Sequence, residues 1–472
     1  MTERLGRVQA AWAAPTDAAW LAALRFLLGA TLCVSMLRFI AYGWIDLLFV
    51  TPRFHFKYWG FGWVQALPAS YMYALFYALA GLSACVALGL WFRVSTLLFA
   101  LGFAYLQLID VTNYLNHYYL ATLLVVLLLL SPAARTWSLD AWRRPEIAKT
   151  HVAKGWLYLF RFQVGVVYTF AGLAKAEPDW LIHAMPLRIW LGSKTDMPIV
   201  GRLFLFEDAA LVMSWAGFLF DATIIWWLMW RRTRPYAYLA LIAFHVLTRA
   251  LFPIGMFPVI MVVSALVFFP PGWPRPLLAW AGRQAGRIFG KNWLAPASLV
   301  APAKSSNGVL RGPGRALLTA LVVGYACLSV TLPLRHWLYS GSVLWHEQGM
   351  RWSWRVMVRE KNGLTTFHVR DPRTGKTWQV PPRRYLTRLQ EREMSGQPDL
   401  ILQLAHQIRD DYQARLGHAV EVRAEALVSL NGRRSALLID PNVDLAAIQD
   451  SVSAASWITA SPRQAPPHIR PI

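Results

Sequence analysis

Long apolar stretches dominate this 472-residue sequence and restrict the folds that are open to it. A segment of about 20 apolar residues can satisfy its backbone hydrogen bonds inside a bilayer only as a helix. Hydrophobic residues make up 56% of the chain, and the mean hydropathy is +0.36. The sequence therefore predicts a polytopic α-helical membrane bundle. About nine spans are expected, near residues 18–41, 69–92, 94–110, 116–131, 155–175, 209–230, 235–252, 254–270 and 316–334.

The seventh and eighth predicted spans come from one apolar run, residues 235–270, which is too long for a single comfortable crossing. The run is interrupted by Phe252-Pro253-Ile254-Gly255. Proline ends or kinks a helix, because it removes a backbone donor and clashes with the preceding turn. We interpret the interruption as a tight turn between two short helices, and one long bent helix remains the alternative.

The basic residues predict an orientation for this bundle. The formal net charge is +22, and the nine-span drawing places the basic clusters on one side. The positive-inside rule makes that side the cytoplasm, so the amino terminus is expected in the cytoplasm and the tail outside it. Because no nucleic-acid-binding motif is present, membrane lipids explain the charge better than nucleic acid does. The clusters are Arg93, the segment 135–154, the group Arg231, Arg232 and Arg234, and the connector 273–315.

The composition changes after residue 334 to that of a soluble domain. We expect a membrane domain over 1–334 and an extracytoplasmic domain of mixed β-strands and helix over 335–472. Residues 352–358 and 366–370 alternate between polar and apolar like strands, and residues 400–416 have helical spacing. Asn431-Gly432 predicts a β-hairpin, because this pair readily adopts the positive φ angles of a two-residue turn.

Cysteine usage and sequence motifs give no sign of a metal site. The three cysteines, Cys33, Cys85 and Cys327, each lie within an apolar segment, so neither a disulfide framework nor a Cys-rich metal site is expected. A phosphate-binding loop, an HExxH metal motif and a serine nucleophile elbow are also absent from the sequence in any convincing context. No metal cofactor is predicted.

Lys175 ends the fifth predicted span at the border of the hydrocarbon. Loss of water disfavours the charged amine there, which makes Lys175 a candidate base. The alternative is an ordinary lysine whose amine reaches the lipid headgroups. Asp221 and Arg161 both lie near the middle of predicted spans, and the simplest expectation is that they neutralise each other.

Other polar residues also fall within predicted spans. Asn116 and His117 open the fourth span, and His245 lies within the seventh, with Arg249 one helical turn further on. Ionisable groups inside a membrane usually face the interior of the bundle or a cavity. His117 could equally be an interfacial histidine and His245 a hydrogen-bonded core residue.

Several motifs in this order resemble those of the vitamin K-dependent gamma-glutamyl carboxylases and their bacterial relatives with an HTTM domain. The similarity extends into the tail, which membrane-only HTTM proteins would not share, and so favours the carboxylase branch. The matching motifs are Tyr168-Thr169-Phe170-Ala171-Gly172-Leu173-Ala174-Lys175 with Asp179-Trp180, Asn116-His117-Tyr118-Tyr119-Leu120, Trp137-Ser138-Leu139-Asp140, Phe244-His245, Leu251-Phe252-Pro253-Ile254-Gly255, Ser353-Trp354-Arg355-Val356-Met357, Asp371-Pro372-Arg373-Thr374-Gly375, and Asp440-Pro441-Asn442-Val443-Asp444.

The resemblance implies an enzyme in the plasma (inner) membrane of a bacterium. Vitamin K hydroquinone or a related quinol would be epoxidised by O2, and the released energy would generate a base that takes a γ-proton from a protein glutamate, which then captures CO2. The implied partners are a glutamate-containing peptide or protein and membrane lipids. A separate quinone or epoxide reductase is also expected, because the chain lacks a CxxC pair.

The resemblance also implies roles for individual residues. Lys175 corresponds to the catalytic lysine of the family, and His117 to a histidine of the carboxylation half-reaction. Asn116 would hold the reactants by hydrogen bonding, and His245 matches a histidine of the cofactor pocket, to which we also assign Arg249. Two alternatives stay open: a quinol epoxidase without carboxylation, and a lipid- or quinone-binding or transport protein.

Overall fold

The computed structural model describes residue 6 and residues 10–289 and 313–468. Each predicted span coincides with a helix in this part of the chain. An additional helix, α9, occupies the start of the predicted connector, whose residues 290–312 lie outside the described residues. The helices are α1 (Ala19–Ala41), α2 (Ala69–Leu88), α3 (Phe92–Ile109), α4 (Asn116–Leu130), α5 (Lys154–Lys175), α6 (Ala209–Met229), α7 (Arg234–Leu251), α8 (Phe257–Ala265), α9 (Pro274–Phe289) and α10 (Pro313–Leu334).

Six helices in the described ranges are long and apolar enough to cross a membrane: α1, α2, α3, α5, α6 and the helical stretch Thr319–Leu338. Two more apolar helices are shorter, at Asn116–Leu130 and Phe257–Phe268. Helix α7 is 18 residues long but carries Arg234 and Arg249, and it is not among the six. The prediction of a largely helical membrane protein is confirmed at this level.

The predicted break between the seventh and eighth helices is confirmed. Helix α7 ends at Leu251, and α8 begins at Phe257. Gly255 in the turn has a φ of +61°, a conformation that glycine adopts without steric cost. The two helices fold back on each other, since the hydroxyl of Tyr238 on α7 donates to the carbonyl of Val262 on α8 at 3.1 Å.

Basic loops that the structure describes lie together at one end of the bundle. The buried Arg25 of α1 donates to the carbonyl oxygens of Ala87 at 3.2 Å and Ala133 at 2.6 Å, and so joins the last turn of α2 to the chain after α4. Strands β1 (Pro15–Asp17) and β2 (His151–Ala153) form an antiparallel pair at the same end. The bundle therefore has a basic end, defined by these loops.

The tail region lies at the opposite end of the bundle. It forms a four-stranded antiparallel sheet in the order β4-β3-β5-β6, against which a helix packs. Phe56, Tyr58 and Val111 from loops of the membrane region enter the same hydrophobic core. The elements are β3 (Lys361–Arg370), β4 (Thr377–Val380), β5 (Glu421–Leu430), β6 (Ala436–Leu437), α11 (Arg388–Met394) and α12 (Pro398–Leu416), with shorter helices elsewhere at Leu139–Arg143, Pro178–Leu181, Leu187–Gly192 and Val343–His346.

The predicted hairpin is confirmed, with a shift in register. Asn431 and Gly432 have φ angles of +50° and +76° between β5 and β6. A simple two-residue turn would place Val428 opposite residue 435, but Val428 pairs with Ala436, so the second strand accommodates one extra residue. The predicted helix at 400–416 is confirmed by α12.

The prediction of a strand at residues 352–358, named here the cap segment, is wrong. The segment has no regular structure, and Trp352 and Trp354 have positive φ angles of +61° and +59°. Trp354 stacks on Tyr119 of α4 with ring centroids 4.9 Å apart, and Trp352 stacks on Tyr58 at 5.3 Å. These aromatic contacts with the membrane region take the place of a strand ladder.

Helices α5 and α6 cross very closely at Gly172. A Cβ atom built on Gly172 would lie 2.9 Å from the Cα of Ala222, which is closer than real Cβ contacts allow. Small residues permit such close crossings of membrane helices. Because Lys175 follows Gly172 by one helical turn, the crossing brings its side chain against α6.

Replacement of Gly172 by alanine is expected to destabilise the bundle. The added methyl must push α5 from α6, and overpacking of this kind costs about 1–3 kcal/mol. The matched control is Gly165→Ala on the same helix, where the nearest atom to an added Cβ is Cγ2 of Ile225 at 3.9 Å. Thermal unfolding in lipid nanodiscs should show a lower Tm for Gly172→Ala alone, and an unchanged Tm would contradict the close crossing.

Candidate active site

A largely apolar cavity of about 160 Å³ lies among helices α5, α6, α7 and α8. The cap segment covers it through Val356 and Met357. Apolar cavities with a few convergent polar groups are typical of ligand-binding sites. The polar residues in its wall are Tyr168, Lys175, Asp221, His245 and Thr248, and the aromatic ones besides Tyr168 and His245 are Trp180, Trp190, Phe244, Phe252 and Phe257.

Lys175 forms a buried ion pair with Asp221 in this wall. The lysine Nζ donates to Oδ2 of Asp221 at 2.8 Å and to the carbonyl of Ala171 at 3.3 Å. Both residues are 6% exposed. The amine also lies 5.3 Å from the centre of the Trp180 ring, a distance at which a cation is attracted to the ring face. The amine is therefore enclosed, and a carboxylate balances its charge.

The predicted pairing of Asp221 with Arg161 is wrong. Arg161 donates instead to backbone carbonyls after α8, from Nε to Val267 at 2.8 Å and from Nη2 to Phe268 at 3.2 Å. Asp221 is thus a residue of the cavity wall whose partner the sequence did not predict. One signal was present in the sequence: Gly172 precedes Lys175 by one turn, as expected where two helices approach closely.

His245 lines the cavity beside this ion pair. Its Nε2 is hydrogen-bonded to the hydroxyl of Tyr168 at 2.8 Å, and the residue is 1% exposed. Its Nδ1 is buried and has no hydrogen-bond partner in the structure. A buried polar atom without a partner is costly, so Nδ1 is a polar atom of this wall whose hydrogen-bonding capacity is unused among the described residues.

His117 does not line the cavity. Its ring centroid lies 6.1 Å from that of Phe257, and the ring of His245 lies 5.9 Å from the same phenylalanine. The buried Nε2 of His117 has no hydrogen-bond partner among the described residues, and a Cβ built on Gly255 would be 3.5 Å from it. Both imidazoles thus adjoin the Phe257 ring, and the structure groups only His245 with Lys175.

Asn116 and Arg249, the other predicted binding residues, do not line the cavity but hold segments beside it. The side-chain Oδ1 of Asn116 accepts a hydrogen bond from the hydroxyl of Tyr114 at 2.9 Å. That hydroxyl in turn accepts a hydrogen bond from the backbone N–H of Trp352 at 2.8 Å. Arg249 is exposed and donates to the carbonyl of Gly255 at 2.7 Å. Asn116 therefore holds the cap segment, and Arg249 holds the turn between α7 and α8.

An ion pair closes the cap segment over the end of α5. Arg355, whose side chain is 8% exposed, donates to Glu177 at 3.2 Å. Its other terminal nitrogen lies 2.9 Å from Nε2 of His336. Because Val356 and Met357 follow directly and line the cavity, this ion pair fixes the cover within a few residues of Lys175.

A second polar contact joins the hairpin of the tail to the membrane region. Arg433 binds Asp179 through two hydrogen bonds of 2.7 and 2.6 Å, and Asn431 adds a third at 2.8 Å. Burial tends to raise the pKa of Asp179, but the hydrogen bonds from Arg433 and Asn431 outweigh it and lower this pKa below its ordinary value. Asp179 precedes Trp180 of the cavity wall, so the hairpin also positions the site.

The resemblance implies a ligand with a flat aromatic ring and two hydroxyl groups, and the apolar, aromatic walls of the cavity are compatible with such a ring. Lys175 and His245 contribute polar side chains to the same walls. Among the residues that the structure describes, no group of three or more His, Cys, Asp or Glu side chains could hold a metal ion.

Comparison with protein families gives two matches that follow one another along the chain. The model of the HTTM domain matches residues 13–273. The model described as vitamin K-dependent gamma-carboxylase, lumenal domain, matches residues 314–464. No solved structure matches the chain. The cavity lies in the first matched region, and its cover comes from the second.

Proposed function

Because the chain belongs to the vitamin K-dependent gamma-carboxylase family with an HTTM domain, we propose that it couples epoxidation of vitamin K hydroquinone, or a related quinol, to carboxylation of protein glutamate. The observation that carries this proposal is the enclosed Lys175, which shares an apolar cavity with His245 under a cover from the lumenal domain. The co-substrates would be O2 and CO2.

The proposal includes an orientation in the membrane. Nine helices would cross the inner membrane of a bacterium, with the amino terminus in the cytoplasm and the domain after residue 334 on the outside. The arrangement of the bundle supports this topology, because the basic end and the tail region lie at opposite ends. The glutamate of a peptide or protein would then approach from the extracytoplasmic side.

Lys175 would accept a proton from one hydroxyl of the quinol, and His245 would orient the ring through its free Nδ1. The apolar wall and Trp180 exclude water, so the proton is transferred to a fixed acceptor. When bound, the quinol supplies the reducing electrons and, on oxidation by O2, the strong base that the chain itself lacks. No ordinary side chain is basic enough to remove a γ-proton of glutamate efficiently, which explains the need for this co-substrate.

His117 would serve the carboxylation half-reaction. Its unpartnered Nε2 beneath the turn at Gly255 supports a role with a ligand that arrives separately from the quinol. Asn116 and Arg249 would contribute to quinol binding indirectly. Asn116 would hold the cap segment, and Arg249 the turn between α7 and α8. A separate quinone or epoxide reductase would regenerate the quinol.

One observation favours a second candidate, a quinol epoxidase without carboxylation. Lys175, Asp221 and His245 line the cavity together, whereas His117 lies outside it. A quinone-binding or transport protein would use the same cavity without chemistry. The purified protein with vitamin K hydroquinone, O2, labelled bicarbonate and a glutamate peptide separates the three. Epoxide with labelled peptide supports the carboxylase, epoxide alone the second candidate, and binding without either product the third.

Two substitutions should separate the half-reactions in that assay. Lys175→Ala removes the proton acceptor and should lower epoxide formation at least about 100-fold, the usual scale for loss of a general base. His117→Ala should lower incorporation of label into the peptide more than it lowers epoxide formation. The matched control is Lys154→Ala at the other end of α5. Unchanged turnover in Lys175→Ala would show that this lysine has another role.

The tail of the quinol should leave the cavity between α6 and α7. Ala216 and Leu247 line the cavity and are also exposed on the surface of the bundle. Ala216→Trp is therefore expected to raise the apparent KM for a quinol with a long isoprenoid tail more than for one with a short tail. The control is Leu219→Trp, on an exposed residue of α6 away from the cavity. An equal rise in KM for both quinols would contradict an exit of the tail between α6 and α7.

A further inference from the structure

We propose that Asp221 is a catalytic proton acceptor, which takes a proton from Lys175 as Lys175 takes one from the quinol. The inference rests on the proposed function and deepens it, because it assigns the base to a pair of residues. The observation that carries it is the 2.8 Å contact between Nζ of Lys175 and Oδ2 of Asp221 inside the cavity.

Lys175 cannot act as a base in the state that this ion pair favours. A charged amine has three N–H donors and no lone pair, so it must lose a proton before it can accept one. Its hydrogen bonds to Asp221 and to the carbonyl of Ala171 both use it as a donor. The carboxylate of Asp221 is the nearest group that can take the proton, since the carbonyl of Ala171 is far less basic.

The other charged and titratable groups near the pair are engaged in bonds of their own. On α5 and α7, the hydroxyl of Tyr168 is bonded to Nε2 of His245. On the cap segment, Arg355 is paired with Glu177, which follows α5. On α6 itself, Asp221 is the charged residue in the cavity wall. None of these contacts involves Nζ of Lys175 or Oδ2 of Asp221, so the two residues are hydrogen-bonded to each other independently of them.

The transfer conserves both atoms and charge. The O–H bond of the quinol hydroxyl breaks, its electron pair stays on that oxygen, and a new N–H bond forms at Nζ of Lys175. One existing N–H bond of Lys175 breaks, its electron pair stays on the nitrogen, and an O–H bond forms at Oδ2 of Asp221. Lys175 thus ends with the charge it began with, and Asp221 becomes neutral.

This relay keeps opposite charges adjacent in a medium of low dielectric constant. Before the transfer, the cation of Lys175 faces the carboxylate, and afterwards it faces the negative oxygen of the ligand. Since charges attract strongly where water is excluded, the exchange of one anionic partner for another avoids leaving a buried charge unpaired. The close crossing at Gly172 keeps the two residues at hydrogen-bonding distance.

The alternative is that Asp221 only holds the amine in place, and Lys175 acts alone once it is neutral. Asp221→Asn distinguishes the two, because it keeps the size of the side chain and removes its basicity. The full-length variant in nanodiscs would be measured in two ways over a range of pH: reductive methylation of Lys175, followed by mass spectrometry, and epoxide formation. The first readout reports when the amine is neutral and needs no turnover.

The relay predicts a divergence between the two readouts. Loss of the carboxylate removes the charge that stabilises the ammonium form of Lys175, so methylation of Lys175 should increase relative to the unmodified protein at the same pH. Epoxide formation should nevertheless stay at least about 100-fold below that of the unmodified protein at every pH, because no acceptor remains for the second proton. Asp221→Glu should restore most of the turnover.

Epoxide formation that recovers in Asp221→Asn at the pH where Lys175 becomes methylated would overturn the relay, and so would methylation of Lys175 that does not increase. Asp208→Asn, at the exposed start of α6, controls for the same chemical change on the same helix. Failure of the proposed function is a distinct result, because the unmodified protein would then form no epoxide while the methylation data still test the ion pair.

Discussion

A buried ion pair between Lys175 and Asp221 is the interaction on which the rest of the site depends. An amine and a carboxylate lose their hydration inside a helix bundle, and only close pairing compensates for that loss. The pairing needs α5 and α6 to cross at short distance, which Gly172 permits by the absence of a side chain. The cavity and its aromatic wall lie beside this crossing.

The tail domain contributes to the same site from outside the bundle. Its cap segment closes the cavity with Val356 and Met357, and the ion pair of Arg355 with Glu177 fixes that cover next to the end of α5. Asn431 of the hairpin donates a hydrogen bond to Asp179, which precedes Trp180. A chain with only the membrane region would have an open cavity, which gives a physical reason for the two matched family regions to occur together.

Much of this architecture could be predicted from the sequence. Hydropathy located the helices, and Pro253 and Gly255 located the break between α7 and α8, because these features act within a few residues along the chain. The resemblance assigned Lys175 to catalysis and His245 to the cofactor pocket, and both line the cavity, whereas His117 lies outside it. The motifs around Lys175 pointed to the family before any fold was known.

Other features depend on rotations and packing that a local pattern does not encode. Asp221 faces Lys175 and not Arg161 because Ala222, the next residue of α6, packs against Gly172 of α5, one turn from Lys175. Residues 352–358 alternate like a strand, but their tryptophans stack on rings of the membrane region, and an alternating pattern cannot distinguish the two. The position of the Phe257 ring beside both His117 and His245 likewise depends on the turn at Gly255.

The central claim is that the enclosed amine of Lys175 meets a bound quinone ring. Cryo-electron microscopy of the full-length protein in nanodiscs, with an added naphthoquinone, tests this most directly. We expect density for the ring in the cavity, with one oxygen within hydrogen-bonding distance of Nζ of Lys175 and the other towards His245. Ring density elsewhere in the protein, with this cavity filled by lipid or water, would contradict the account.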